Sequence, residues 1–345
     1  MKTTHRLHAI GDIHGMVNEM LLNLEDKGVV DSNGDWSSGK GTLVLTGDLT
    51  DRGPHGYETI EKAYNLHLQA EEAGGEVIVT MGNHDIGFIN SAIFLVRRPK
   101  LREMISKVLN GSREDTFRES NDQGMAYREK RHWRIGEVMN ICMNYSANPL
   151  VPEGIDDPDT LDEHAEMRTF KDQISDMLNN GMNIEDLTKF MESPELMMWA
   201  VAWPAMYLKD GVLFQHCDSH RVYKFFESID TSDKTDPIAK ANNALTLGLL
   251  SSSCSPGYKF WGVTTSGRYW DDGDQIVPHH LEYFGGATKV CHGHTRLFGE
   301  YMPMEYCQGQ AVNLDVGLAY SPHHLGKTGR MVDLSEHASN FTKKK

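Results

Sequence analysis

Several short apolar runs in this chain stop abruptly at Gly, Asp, Asn or His. Leu7–Ile10 runs into Gly11-Asp12-Ile13-His14, Thr42–Leu45 into Gly47-Asp48, and residues 77–79 into Gly82-Asn83-His84-Asp85. Further on, 212–214 runs into His216, 288–291 into His292-Gly293-His294, and 311–314 into Asp315-Val316-Gly317. Runs this short, rich in β-branched residues and bounded by turn residues, predict buried strands. Between the first of them, residues 18–27 place Met20, Leu21 and Leu24 on one helical face, and 57–72 do so with Ile60, Ala63, Tyr64 and Leu68. Strands alternating with helices predict βαβ units, hence an α/β chain whose ligands gather outside the carboxyl ends of the strands. The polar motifs all fall at that edge.

Residues 86–210 break the pattern. They are polar and helical in character, punctuated by Pro149, Pro152, Pro158, Pro194 and Pro204, and contain no strand run ending in Gly. The expectation is a single domain over residues 1–345, with 86–210 inserted as a mostly helical cap that restricts which substrates enter. Met191, Met197 and Met198 read as cap core, and the acidic stretch 153–166 as a solvated face. The terminal Lys343-Lys344-Lys345 reads as a disordered tail.

The net charge of -15, from 49 acidic and 34 basic residues, argues against nucleic acid or an anionic membrane as partner. An acidic chain can still handle phosphate if metal ions reverse the local field. Five cysteines, widely spaced and without a CxxC pair, argue against a disulfide framework or a zinc ribbon. Cys217 and Cys291 adjoin histidines and read as small buried strand residues. No signal-peptide core and no run of about 18 apolar residues is found, so a cytoplasmic protein is expected.

The motifs supply metal ligands. Asp12 and His14, one residue apart on an extended segment, can address one metal. The two oxygens of Asp48 can bridge two cations, Asn83 offers a neutral carbonyl, and His216 and His294 add imidazole nitrogen. This mixture suits Fe, Mn, Zn or Co better than calcium or magnesium. Two such ions roughly 3.5–4 Å apart clamp a phosphoryl group and make hydroxide available near neutrality. Asn83 and His84, if extended, project to opposite sides, one to metal and one to substrate.

Gly11-Asp12-Ile13-His14-Gly15, Gly47-Asp48-Leu49-Thr50-Asp51-Arg52-Gly53, Gly82-Asn83-His84-Asp85 and His292-Gly293-His294-Thr295 occur in that order. In this the sequence resembles the calcineurin-like metallophosphoesterase superfamily, within it the phosphoprotein-phosphatase branch. The segments Gly28-Val29-Val30-Asp31, Trp36-Ser37-Ser38-Gly39 and Glu71-Glu72-Ala73-Gly74-Gly75 are similar to those of bacterial Shewanella-like phosphatases. The resemblance covers about residues 5–90 and 210–320 and leaves the cap unmatched. It implies a central β-sandwich flanked by helices and a dinuclear centre. Asp12, His14 and Asp48 would hold the first ion, and Asp48, Asn83, His216 and His294 the second. Arg52 would grip phosphate oxygens, for which a guanidinium is well shaped. His84 would be the general acid, with Asp51 orienting it and holding it protonated. Arg268, in the 260–270 segment, stands where family members carry a second phosphate-gripping arginine. His294 takes the metal position, with Arg296 where other branches carry their last His, and His292 stays a candidate seventh ligand. Asp85, where that branch usually carries Glu, bears on loop packing rather than chemistry. His220, His279 and His280 match no motif and read as structural.

The expected reaction is phosphomonoester hydrolysis by in-line attack of a metal-bridging hydroxide, on a phosphoprotein or a small phosphoester. A dinucleoside polyphosphate hydrolase is the alternative, since its family shares these motifs. A nuclease fits less well, because Asp51-Arg52 belongs to the phosphatase-type motif. A non-catalytic binding module on the same fold is the distant alternative, and none of the ligands whose loss would mark it is lost.

Overall fold

The computed structural model describes residues 6–110, 140–141, 184–217, 236–250, 277–278, 281–284, 286–297, 302–319 and 325–338. Arg268, His220, His279, His280, the 153–166 stretch and the terminal lysines lie outside the described residues.

Two sheets form the centre. In the first, β1 (Leu7–Ile10), β2 (Thr42–Leu45) and β3 (Glu76–Val79) are parallel, and β9 (Met331–Asp333) runs antiparallel beside β1. The second has the order β4 (Met206–Lys209), β5 (Val212–Gln215), β6 (Lys289–His292), β8 (Ala311–Asn313), β7 (Met304–Tyr306). There β5, β6 and β8 are parallel to one another.

Side-chain alternation explains why both faces of these strands are apolar. Leu7, Ala9 and Val44 of the first sheet cluster with Val212, Phe214, Cys291 and Val312 of the second, forming the layer between sheets. Their neighbours Ile10, Leu43, Leu45, Leu213, Val290 and Ala311 point the other way, into the larger core under the helices. Parallel strands buried on both faces read as continuous apolar runs. The expected β-sandwich flanked by helices is therefore what forms. At its rim Glu76 Oε2 accepts from Thr42 Oγ1 (3.2 Å), Tyr207 Oη (3.0 Å) and Lys209 Nζ (2.7 Å), tying the two sheets together.

Helices α1 (Val17–Asp26) and α2 (Gly56–Ala73) occupy the predicted βαβ crossovers. Next come α3 (Asn83–Val96) and α4 (Pro99–Asn110), then α5 (Ile184–Met191) and α6 (Pro194–Val201), and later α7 (Pro237–Leu250). The expected cap boundary at residue 86 falls inside α3, whose Ile86, Phe88, Ile89 and Ala92 are in the main core. Leu187, Phe190 and Leu196 of α5 and α6 join the same core. Among the described residues no helix is long and apolar enough to cross a membrane.

Candidate metal centre

The carboxyl ends of both parallel trios meet at one edge, and tight loops leave the strands there. Ile13 and His14 N–H donate to Asp48 O at 3.1 and 2.8 Å, lacing the first two loops together. Gly293 N–H donates to His216 O at 2.8 Å, lacing two loops of the second sheet. His294 N–H reaches across to the Asp12 carboxylate at 3.0 Å, joining the sheets. His14, Asp48, Asp51, Arg52 and His294 all have φ between 49° and 66°. Side-chain-bearing residues avoid this left-handed region, and such strain concentrates at functional sites. Two glycines make room for the carboxylates: a Cβ on Gly293 would lie 2.0 Å from Asp12 Oδ1, and one on Gly82 2.2 Å from Asp48 Oδ1.

Two groups of donor atoms share Asp48. His14, Asp48 and His84 bring ligand atoms within 4.8 Å of one another, as do Asp48, His216 and His294. Asp48 Oδ2 lies 3.7 Å from His14 Nε2 and 3.3 Å from His216 Nε2. Asp12 Oδ2 is 3.9 Å from His14 Nε2. Asn83 Oδ1 lies 3.1 Å from His216 Nε2 and 3.0 Å from His294 Nδ1. Main-chain carbonyls settle which nitrogens face inward. His14 Nδ1 lies 2.9 Å from Thr50 O and His216 Nδ1 2.7 Å from Thr46 O. A carbonyl only accepts, so each Nδ1 carries the proton and the Nε2 lone pair of the neutral ring turns to the carboxylates, the usual support of a metal-binding histidine.

The buried carboxylates favour a nearby cation. Asp12, Asp48 and Asp315 are all buried. Burial and the charge of Asp315 raise the Asp12 carboxyl well above the usual range. Burial disfavours a charged His216 ring, yet Asp48 and Asp12 push its pKa up to about 10. The buried carboxylates thus favour positive charge at Nε2, which a proton or a metal ion would supply. His14 differs: burial and the Arg52 guanidinium hold its pKa well below the usual value, leaving a neutral ring. The donor set fits metal binding.

Beside these groups stands a second constellation. Asp51 Oδ2 accepts from His84 Nδ1 at 2.6 Å, and both are buried. Burial opposes charge on the His84 ring, but Asp48 and Asp51 outweigh it and raise its pKa. The Arg52 guanidinium spans two rings, Nη1 at 2.9 Å from His14 Nε2 and Nη2 at 3.1 Å from His84 Nε2.

A profile described as calcineurin-like phosphoesterase matches residues 5–296. The chain belongs to the calcineurin-like phosphoesterase family. It is 34% identical over 98 residues to Shewanella-like protein phosphatase 2 of Arabidopsis thaliana, covering 28% of this chain and 25% of that one. It is 40% identical over 80 residues to the symmetrical bis(5'-nucleosyl)-tetraphosphatase of Buchnera aphidicola subsp. Baizongia pistaciae, covering 23% and 24%. Such matches span about a quarter of the relatives' length. A solved cold-active protein tyrosine phosphatase aligns over 96% of this chain and 73% of its own, with 18% identity and a TM-score of 0.54, and shares the fold.

Within this calcineurin-like phosphoesterase, Asn83 and His84 are not extended: they are the first residues of α3. They diverge because successive helical residues turn by about 100°. The helix start is marked by Asp85, whose carboxylate accepts from the N–H of the N-cap Gly82 at 3.1 Å. His292 lies apart from the donor groups: its Nε2 is 2.6 Å from Tyr306 Oη and its Nδ1 3.0 Å from Gly293 O. Asp85 is fully buried and accepts from Asp48 N–H at 2.7 Å, Leu49 N–H at 2.9 Å and Gly82 N–H at 3.1 Å. Asp315 was visible only as a strand exit, yet it is fully buried, with its carboxyl pushed up to about 6 by burial. The thiol of Cys291 is buried in the inter-sheet layer, with its pKa pushed up to about 12 by burial.

Proposed function

We propose that this chain is a dinuclear metal-dependent phosphatase that hydrolyses phosphomonoesters. The observation that carries the reading is the Asp48 carboxylate shared by two donor groups, with Arg52 and the Asp51–His84 pair beside it. Asp12, His14 and Asp48 hold one ion, and Asp48, Asn83, His216 and His294 the other. Manganese, iron and zinc suit these nitrogen and oxygen donors. When bound, the pair supplies Lewis acidity toward phosphoryl oxygens and makes hydroxide available near neutral pH.

The chain's own residues do the rest. Arg52 turns its guanidinium from the two rings onto phosphoryl oxygens, a bidentate geometry it is shaped for. Asp51 orients His84 through Nδ1 and favours its charged form, so that Nε2 can give a proton to the leaving oxygen. His84 stands close enough to His14 and Asp48 to ligate, but its Nδ1 is engaged by Asp51 at 2.6 Å, which favours the acid role. Arg268 is assigned as a second phosphate grip. His292, held by Tyr306, is best read as a support for the His294 loop. Residues 86–210 select the substrate, a phosphorylated protein or a small phosphoester, with neither nucleic acid nor membrane as partner. A cytoplasmic location completes the proposal, in keeping with the odd number of cysteines.

The match to a symmetrical bis(5'-nucleosyl)-tetraphosphatase favours a second reading, hydrolysis of a dinucleoside polyphosphate. Assays of p-nitrophenyl phosphate, phosphopeptides and diadenosine tetraphosphate, with metal analysis of the same sample, test the two together. Two ions per chain with monoester turnover support the proposal. Dominant cleavage of diadenosine tetraphosphate replaces it with the second reading.

A further inference from the structure

Only Gly53, Pro54 and His55 separate Arg52 from the first residue of α2. His55 at the N-cap of this helix makes no side-chain capping hydrogen bond. Its first N–H groups need acceptors from elsewhere. They find one 130 residues away: Asp186 Oδ2, on α5, accepts from Gly56 N–H at 2.9 Å. The same carboxylate accepts from Tyr57 N–H. A carboxylate at a helix N-terminus is also favoured by the helix dipole.

The arrangement is built closely. Asp186 is buried, and a Cβ on Gly56 would lie 3.1 Å from its Oδ2, so glycine admits the carboxylate. Tyr57 Oη lies 3.2 Å from Ser193 Oγ, a second link between α2 and the 184–201 helices. One turn further along α5, the Phe190 ring packs on Phe88 of α3 at 5.1 Å between centroids. One short helix therefore touches both the element that follows Arg52 and the element that begins with Asn83 and His84. The other side of the Arg52 loop is held by the first motif, through Gly53 N–H to His14 O (2.9 Å) and His55 N–H to Gly15 O (3.2 Å). Immediately before these anchors Asp51 and Arg52 sit at φ 66° and 62°, a conformation that surroundings must enforce.

We infer that Asp186 is a positioning residue, whose carboxylate seats the start of α2 and thereby aims the Arg52 guanidinium at the phosphate. The inference rests on the assignment of Arg52 to phosphate made above. It makes the 184–201 helices part of the anion-binding apparatus.

The test uses the metal-loaded full chain, with inorganic phosphate titrated by calorimetry and p-nitrophenyl phosphate in steady-state assays. Asp186→Ala should weaken phosphate binding and raise KM by about fivefold, the scale of one N-cap interaction, with metal content unchanged. Asp186→Asn keeps one acceptor oxygen, should recover most of the loss, and serves if the alanine variant does not fold. In an Arg52→Ala background the Asp186 substitutions should add no further loss, since groups acting through one another are not additive. If both Asp186 variants lower only the melting temperature, leaving phosphate affinity and KM unchanged, the inference is overturned while the phosphatase reading stands. If the wild type does not turn over monoesters but binds phosphate through Arg52 and Asp186, the phosphatase reading falls and this one survives. Wild type that neither hydrolyses nor binds phosphate overturns both.

Discussion

Asp85 holds Asp48 from behind: its two carboxylate oxygens accept the main-chain N–H of Asp48 at 2.7 Å and of Leu49 at 2.9 Å. In return His84 N–H donates to Asp48 Oδ1 at 3.0 Å. The first turn of α3 thus grips both the backbone and the side chain of the residue shared by the two donor groups. Asp48, with φ at 53°, needs such a grip.

Asp85→Asn turns an amide group toward main-chain donors and leaves at least one of them unmatched. A buried unmatched donor costs about 1–3 kcal/mol. The expected outcome is a less stable protein that also loses metal on dialysis, read by urea unfolding and metal analysis. Unchanged metal retention would limit Asp85 to a role in folding.

His84→Asn should keep metal content close to wild type while lowering turnover by ~10²–10⁴-fold, the usual scale for a general acid. Rates on p-nitrophenyl phosphate beside metal analysis check it. Full turnover in this variant would remove His84 from proton transfer.

Gly293→Ala places a methyl group where Asp12 Oδ1 lies, at a separation of 2.0 Å. The carboxylate or the His294 loop must move, so metal affinity should fall by at least about tenfold while the sandwich still folds. Competition with a chelator measures the affinity, and circular dichroism the fold.

Removing the metal should destabilise the chain, because buried carboxylates and inward lone pairs lose their shared partner. Linkage predicts a melting temperature that falls on chelation and recovers with added manganese or zinc in a concentration-dependent way. Thermal scans with and without chelator provide the check.

Asp186 should leave a mark on stability against pH. Burial pushes its carboxyl up to about 6, against the opposing pull of the Tyr57 and Gly56 N–H groups and of Lys189 on α5, with Glu58 on α2 adding a smaller rise. Since the folded pKa lies above the unfolded one, its contribution is fully present below about pH 4 and is lost as pH rises through about 6. Asp186→Asn removes that titration. Relative to the variant, wild type should lose on the order of 2–3 kcal/mol between pH 4 and 7, read by denaturant unfolding across that range. Parallel curves for the two proteins would refute the assignment.

Much of the fold was legible because burial on two faces writes itself into composition. After Thr42 the run has no polar position until Thr46 and Gly47, and the run predicted from sequence is the strand that forms. The residue types of the candidate site are legible too, since Asp12, His14, Asp48, Asn83, His216 and His294 follow such runs directly. The start of α3 was not: Asn83 and His84 read as an extended segment, yet the helix already begins at Asn83. Asp85 was read as a matter of loop packing, and its three main-chain partners give that packing a target, Asp48.

By itself the sequence determined which donor atoms exist and that strand ends would deliver them to one edge, because both follow from local pattern and the parallel order of strands. Only the tertiary structure decided how they are used. Which nitrogen of His216 faces Asp48 depends on Thr46 O, 170 residues away, and the cap of α2 depends on Asp186, 130 residues away. A hydrogen bond is decided by position in space to within a few tenths of an ångström, and no spacing along the chain encodes that.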